Sequence, residues 1–368
     1  MGSQAVRETP SRNTLAMTSQ RFPSPDLVEF AAAALRAVGV QPAHANITAQ
    51  RLIEADARGR TGHGLIRLGP YVERIEAGGV NLNPNIEVLH ETPTSALVDG
   101  DNGLGQVITT QATELAIEKA KATGMAWVGT TRSNHAGAAG LYPMMAAKEE
   151  LVSMYFAVAN ANGMPPWGGT EPLLGTNPIA IAIPAKDSAP FLLDIATTQT
   201  SHGSIKVAAQ NGEQMPVGWV IDQNGDPITD PHRAHEGTLQ PIGGYKGSGL
   251  NIAIGLLAGA MNGAAFLGSV IDHRLALSTP TNTGQAIFVM RSDLFQPADE
   301  ALATMASHMN ELRNSSTKDG EPVRLPGDTA AASEQQSATL GVAVSTVLVD
   351  TLNELASRLG VATLTDPK

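Results

Sequence analysis

The sequence predicts a mixed α/β protein in which a sheet-bearing body is completed by a helical region drawn from both chain ends. Two patterns carry that prediction. Apolar residues recur at spacings of three and four near the N-terminus and again at Leu348, Leu352, Leu355 and Leu359, the period of a one-sided helix. Between these, short β-branched runs alternate with helical stretches and with turns of Gly, Asn and Pro. The alternation has no regular strand–helix–strand period, so a mixed sheet is expected in place of a doubly wound one. At 368 residues the chain suits two domains, or one domain elaborated by a second layer. The expected division is a disordered polar leader over 1–21, a helical region over 22–80 plus 340–368, and a mixed α/β domain over 81–339.

Taken in order, Ser24-Pro25-Asp26 starts a helix with a hydroxyl cap, a proline at the first position and an acid at the positive end of the dipole. That helix should stop at Gly39, and a second should run from about Pro42 to Ala57. From Thr61 onward Leu65, Leu68, Val72 and Ile75 gather on one face of a third helix, which Gly69-Pro70 is placed to interrupt. Strands are expected at 86–89, 96–98, 126–131, 152–159, 179–183, 191–195 and 286–290. Helices are expected at 109–123, closed by Gly124, and at 141–150. The run from Leu250 to Ile271 carries no charge and is long enough to span a bilayer. Its glycines and asparagines favour a buried core helix. Gly255, Gly259 and Gly263 would leave one face of it bare for a close partner helix, from this chain or from a second subunit.

Composition narrows the partners. With 24 basic and 35 acidic residues the formal charge is −11, which disfavours nucleic acid or an anionic membrane as the main partner and favours small molecules. There is no cysteine, which removes disulfides, thiolate zinc sites and cysteine nucleophiles and is compatible with a cytoplasmic location. No GxGxxG, P-loop, HExxH or GxSxG occurs. His232 and His235 have metal-like spacing but no third ligand nearby, so a solvated loop is expected and no metal. His44, His90, His273 and His308 carry no local pattern.

The stretch Arg58 to Leu68, RGRTGHGLIRL, places His63 and Arg67 one helical turn apart. A proton donor and a fixed cation at that spacing suit a small carboxylate with a neighbouring carbonyl. The competing reading is a water-exposed His63 with Arg67 in a surface pair with Glu54 or Asp56. His135, in Arg132-Ser133-Asn134-His135-Ala136-Gly137, follows a strand directly, where sheet enzymes commonly hold ligands. Further turns at 166–169, at 175–178, after Asp194, and at Gly243-Gly244-Tyr245-Lys246-Gly247 bring backbone amides and a lysine to positions suited to an anion.

In this order the segments RGRTGHGLIRLGPYVERIEAGG, TRSNHAGAAGLYP, PWGGTEPLLGTNPIAIAIP, LLDIATT, GWVIDQNGDPITDP, GGYKGSGL and RLPGD resemble the type-2 malate/L-lactate dehydrogenase family, across roughly residues 25–361. That resemblance implies a non-Rossmann dinucleotide-binding domain with a mixed sheet, NAD or NADP as cofactor, and a homodimer with its active site near the subunit contact. Residue by residue, His63 and Arg67 match the family's SHG motif and the arginine four places on. His135 matches its SNH loop, and the two histidines are the proton donor and acceptor in one order or the other. Asn160, Asp194, Ile195, Ala196, Tyr245, Lys246, Gly327 and Asp328 match cofactor-contacting positions. Gly62 stands where the family usually has serine, Ala136 where an aromatic is common, and Ser204 at the usual lysine position, with Lys206 two residues on.

The resemblance implies hydride transfer between a nicotinamide and a small 2-hydroxy or 2-oxo acid of the malate, lactate or sulfolactate kind. Two alternatives stand beside it. One is a reductase of cyclic imino acids such as piperideine- or pyrroline-2-carboxylate with the same cofactor, and the other a non-catalytic binding protein on this scaffold.

Overall fold

The computed structural model describes residues 19–318 and 320–365, and leaves the side chains of His202, Lys206 and Gln210 undescribed. The leader expected over 1–21 therefore lies outside the described residues as far as residue 18. Its last three residues belong to the body: Ser19–Phe22 (β1) pairs antiparallel with Val342–Ser345, joining the two chain ends before any helix begins.

Helices α1 (Ser24–Ala37) and α2 (Pro42–Ala57) start and stop at the expected prolines and at Gly39, whose φ of 92° suits only glycine without strain. The third helix differs from expectation. Two 3-10 turns, Thr61–His63 and Leu65–Arg67, precede α3 (Leu68–Glu76), and the break falls at Gly64, not at Gly69-Pro70. Pro70 lies in the first turn of α3, where a missing N–H costs nothing. The apolar stripe survives the break, with Leu65, Leu68, Val72 and Ile75 all buried.

Strands β2 (Glu87–Thr92), β3 (Ser95–Asp99), β4 (Met125–Ser133), β5 (Leu151–Ala157), β6 (Ile179–Ala185) and β7 (Ser188–Ile195) follow. Helices α4 (Gly105–Thr123) and α5 (Leu141–Ala147) lie between them. Next come α6 (His202–Asn211), the short strands β8 (Val220–Ile221), β9 (Pro227–Ile228) and β10 (Thr238–Leu239), α7 (Tyr245–Ala258) and β11 (Thr283–Arg291). Helices α8 (Ala298–Arg313) and α9 (Asp328–Leu340), strand β12 (Val342–Ser345) and α10 (Thr346–Leu359) close the chain. Among the described residues the main sheet has seven strands in the order β2-β3-β4-β11-β5-β6-β7. Only β3 and β4 run parallel, joined by the α4 crossover, so the sheet is mixed as the irregular alternation predicted.

Apolar residues of α1, α2, α3, β12 and α10 share one buried cluster, which the C-terminal leucine stripe completes through Leu352 with Leu348, Leu355 and Leu359 packed against it. A second cluster fills the space between the sheet and helices α4 and α5. No helix among the described residues is long and apolar enough to cross a membrane. The run from Leu250 to Ile271 is not one core helix: α7 ends at Ala258, and Gly259 and Gly263 turn the chain back. The space at Gly255 is taken by this chain's own Phe266, whose ring would lie 2.0 Å from an added Cβ, not by a partner helix. One face of α7 stays open, with Tyr245, Leu250 and Leu256 exposed.

These contacts separate two glycines of one helix. Gly255→Ala is expected to cost roughly 1–3 kcal/mol through overpacking. Gly249→Ala, where an added Cβ meets nothing within 4 Å, is expected to gain roughly 0.5–1 kcal/mol from helix propensity. Thermal unfolding of the two variants checks this, and equal effects would contradict the packing described.

Candidate active site

The site begins with a buried carboxylate. Asp56, in the last turn of α2, points at Gly64, where an added Cβ would fall 2.0 Å from its Oδ1. Its Oδ2 accepts the Leu65 N–H at 2.7 Å. The carboxylate thus occupies the space a side chain at residue 64 would need and satisfies the amide that the broken helix leaves without a partner. Burial raises its pKa to about 7, against the lowering effect of the Leu65 amide. The consequence is local: the chain enters and leaves the Asp56 contact in two tight turns that carry His63 and Arg67 separately.

The ring of His63 stacks on that of His135, with centroids 5.8 Å apart and 10° between planes. His273 stacks on the other face of His135 at 5.3 Å and 14°. His135 lies just beyond β4, at the C-terminal end of the parallel pair. Its Nδ1 is 2.7 Å from the Tyr71 hydroxyl, which receives the Gln106 amide N–H, also at 2.7 Å. The Gly137 N–H donates to the same nitrogen at 3.4 Å, so Nδ1 is an acceptor and the Tyr71 hydrogen goes to it. Neutral His135 therefore carries its hydrogen on Nε2.

All three imidazoles resist protonation. Burial first, then the charges of Arg67 and Arg60, lowers His63 to about 4. Burial, His63 and Arg67 hold His135 well below the ordinary value, and burial lowers His273. Tyr71 is pushed up to about 12 by burial, so its hydroxyl keeps its proton. Arg67 donates through Nε to the Gly62 carbonyl at 2.7 Å, and among the described residues no carboxylate lies within ion-pair distance of it. The surface pair with Glu54 or Asp56 does not form: Glu54 bonds Arg51 and Asp56 bonds Leu65. The Arg67 charge thus stands uncompensated beside neutral imidazoles.

The other predicted residues surround this centre unevenly. Asn160 is buried beside Thr283, and its carbonyl accepts from the His273 backbone N–H at 3.2 Å. Asp194, Ile195 and Ala196 end β7. Asp194 is 3.5 Å from Arg60, which ties that strand end to the turn bearing His63, and burial raises its pKa. Gly327 has φ 100° and runs so close to Leu192 that a Cβ would lie 2.8 Å from its backbone nitrogen. The Asp328 carboxylate is taken up by Arg313 at 2.7 Å and by the Leu325 N–H at 2.9 Å, so only the backbone of this loop is free to meet a ligand. Tyr245 and Lys246 open α7, both exposed. Their turn is anchored to the segment after Ala196 by Ile242 N–H to Thr197 O, 3.0 Å. Asn251 joins the same region, donating to Gly175 O and Thr197 Oγ1 at 2.8 and 2.7 Å. A Cβ at Gly62 would meet nothing within 4 Å, so the usual serine would fit there and its absence leaves room. His232 and His235 sit on an exposed turn, and no group of three metal-ligating side chains occurs among the described residues.

The comparisons decide the family. The malate/L-lactate dehydrogenase model matches residues 22–353. The chain belongs to the malate/L-lactate dehydrogenase family. It is 36% identical over 355 residues to a malate dehydrogenase of Pyrococcus abyssi, covering 93% of this chain and 95% of that one. A ureidoglycolate dehydrogenase (NAD(+)) of Escherichia coli O157:H7 is 33% identical over 83% of this chain and 87% of its own. A (2R)-3-sulfolactate dehydrogenase (NADP(+)) of Chromohalobacter salexigens is 38% identical over 64% and 71%. The solved malate dehydrogenase of Pyrococcus horikoshii OT3 superposes with a TM-score of 0.85 at 34% identity, over 94% of this chain and 97% of that one. The mixed sheet with its helical region is thus the family fold, and the chain is a dehydrogenase acting on a CH–OH group.

Sequence reasoning missed Asp56, Tyr71, Gln106 and His273. Tyr71 lies four residues beyond Arg67, a signal that helical spacing offered. His273 had none, because the loop bearing it is held by Arg74, 199 positions away.

The pKa shifts give a signed prediction. Between pH 4 and 6.5 the unfolded chain protonates His63 while the folded chain does not, so stability present above 6.5 is lost as pH falls through about 4. Asp56 acts oppositely: between 3.8 and about 7 the folded chain holds the extra proton and gains stability as pH falls. Against the parent, His63→Gln is expected to flatten the acid loss and Asp56→Asn to steepen it, measured by denaturant unfolding across pH 4–8. Identical pH profiles for all three proteins would contradict these assignments.

Proposed function

We propose that this dehydrogenase moves a hydride reversibly between the nicotinamide of NAD or NADP and C2 of a small 2-hydroxy or 2-oxo acid within the malate, lactate and sulfolactate range. The observation that carries the reading is Arg67, a cation without a carboxylate partner beside the stacked His63 and His135. Arg67 holds the substrate carboxylate through parallel N–H donors and so fixes which face of C2 is presented. His135, with its hydrogen on Nε2, donates to the C2 oxygen. The His63 ring has no hydrogen-bond partner among the described residues, its backbone N–H alone being bonded, to the Arg60 carbonyl. It takes the hydroxyl proton during oxidation and returns it to the oxygen during reduction. A bound carboxylate offsets the Arg67 charge that lowers His63, bringing its proton affinity toward the working range.

When bound, the cofactor supplies the hydride acceptor or donor. The residues fit such a group. In a chain with 35 acidic and 24 basic residues, Lys246 stays exposed beside Gly243 and Gly244, both at positive φ, a turn suited to a phosphate. Tyr245, Asn160, the strand end Asp194, Ile195 and Ala196, and the backbone of Gly327 and Asp328 would complete the hold. A cytoplasmic homodimer is part of the same reading. The open apolar face of α7 supports the dimer, and the lack of cysteine is compatible with the compartment. Sedimentation at monomer mass would contradict the dimer.

Separate His63→Ala and His135→Ala variants, followed by reduced-nicotinamide absorbance with a panel of 2-oxo acids, test the mechanism. Loss of a positioned acid is expected to lower turnover by about 10² to 10⁴. Arg67→Lys is expected to act chiefly on KM, because lysine lacks the paired donors. Unchanged turnover in both histidine variants would sink the mechanism.

A further inference from the structure

His273 is held in place by Arg74 and Asn160. Arg74, buried in α3, donates to the carbonyls of His273 and Ala276, each at 3.1 Å, and to those of Gly79 and Thr279 at 3.0 and 3.1 Å. The loop passes so close to Gly79 that a Cβ there would lie 1.9 Å from the Leu277 carbonyl oxygen. This clamp seats the His273 ring against His135.

The hydrogen bonds also fix what the ring offers. His273 Nδ1 is 3.1 Å from the Asn160 carbonyl oxygen. A carbonyl only accepts, so Nδ1 carries the hydrogen, and the neutral ring keeps a bare lone pair on Nε2. His135 has the opposite tautomer, with Nδ1 accepting from Tyr71 and the hydrogen on Nε2. Two nearly parallel neutral imidazoles, 5.3 Å between centroids, thus offer one donor and one acceptor. Tyr71, Val80 and Leu104 line the same cavity, and no carboxylate does. Arg74 and Asn134 reach it too, but Arg74 NH1 and NH2 are engaged by backbone carbonyls and by Asn134 Oδ1.

We infer that His273 is a specificity-determining residue whose Nε2 accepts a hydrogen bond from a hydroxyl or N–H on the substituent at C2, so that the enzyme prefers a 2-hydroxy acid with a neutral, donor-bearing tail. This rests on the hydride transfer at C2 proposed above, and departs from its malate, lactate and sulfolactate range in favour of a tail that donates. A second carboxylate or a sulfonate would face an acceptor lone pair, and a methyl group would leave that acceptor without a partner. Sites built to bond a substrate hydroxyl discriminate strongly against analogues lacking it.

The test compares hydroxypyruvate, pyruvate and oxaloacetate as substrates of the parent enzyme, His273→Phe and His273→Gln. The parent is expected to favour hydroxypyruvate at least tenfold in kcat/KM over each of the others. His273→Phe should bring the hydroxypyruvate-to-pyruvate ratio close to one, and His273→Gln, whose amide oxygen still accepts, should restore part of it. A merely structural role would lower both substrates alike and leave the ratio unchanged, which overturns the inference, as would a parent preference for oxaloacetate. If the parent reduces none of the three, the proposed function fails separately. The inference is then read from ¹⁵N NMR of the histidine rings: glycerate, but not lactate, should shift His273 Nε2, and a ring with its hydrogen on Nε2 would overturn it.

Discussion

The carboxylate of Asp56 lodged against Gly64 is the constraint from which the site follows. A helix continuing from Thr61 would keep His63 and Arg67 on one regular face. The buried carboxylate takes the place of a side chain at residue 64 and binds the Leu65 amide, so the segment becomes two tight turns. The leucine stripe still anchors the second turn and α3 in the helical core. Rigidity thus comes from apolar packing on one side and from one buried hydrogen bond on the other. Removing that acceptor would leave a buried amide without a partner, a loss of about 1–3 kcal/mol at the point where the chemistry is aimed.

The second feature is charge withheld. In a protein with an excess of acid residues, Arg67 has no carboxylate near it among the described residues, and the three histidines beside it stay neutral. Protonating any one imidazole would place a cation against Arg67 and against its stacked neighbours. A substrate carboxylate removes part of that penalty as it binds. Binding and proton transfer are then coupled through the same few ångströms, an arrangement suited to a reaction in which charge develops on a carbonyl oxygen.

Much of this was legible in the sequence, for identifiable reasons. The prolines Pro25 and Pro42, the stops at Gly39 and Gly124, and the stripes at Leu65–Ile75 and Leu348–Leu359 are local signals, and the elements they mark are present, although Ser24 is the first residue of α1 and does not cap it. His63, Arg67 and His135 were found because each lies in a short glycine-bearing segment, and the structure brings the two histidines into a stack. The failures are non-local. The break at Gly64 depends on a carboxylate eight residues earlier, and the end of α7 at Ala258 on the return of Phe266. Ser19–Arg21 looked like leader because its partner strand lies more than 300 residues away. His273 joins the site only through Arg74 and Asn160, contacts that no periodicity in its own neighbourhood encodes.

The central claim is that hydride reaches C2 of the acid held beside these imidazoles. The most direct measurement uses nicotinamide cofactor carrying deuterium at the transferable C4 position, a 2-oxo acid, and mass spectrometry of the product. The account predicts a 2-hydroxy acid one mass unit heavier, with the label on C2 and none when deuterium is supplied only in the solvent. Cofactor oxidation with no label at C2, or label arriving from solvent, would contradict it.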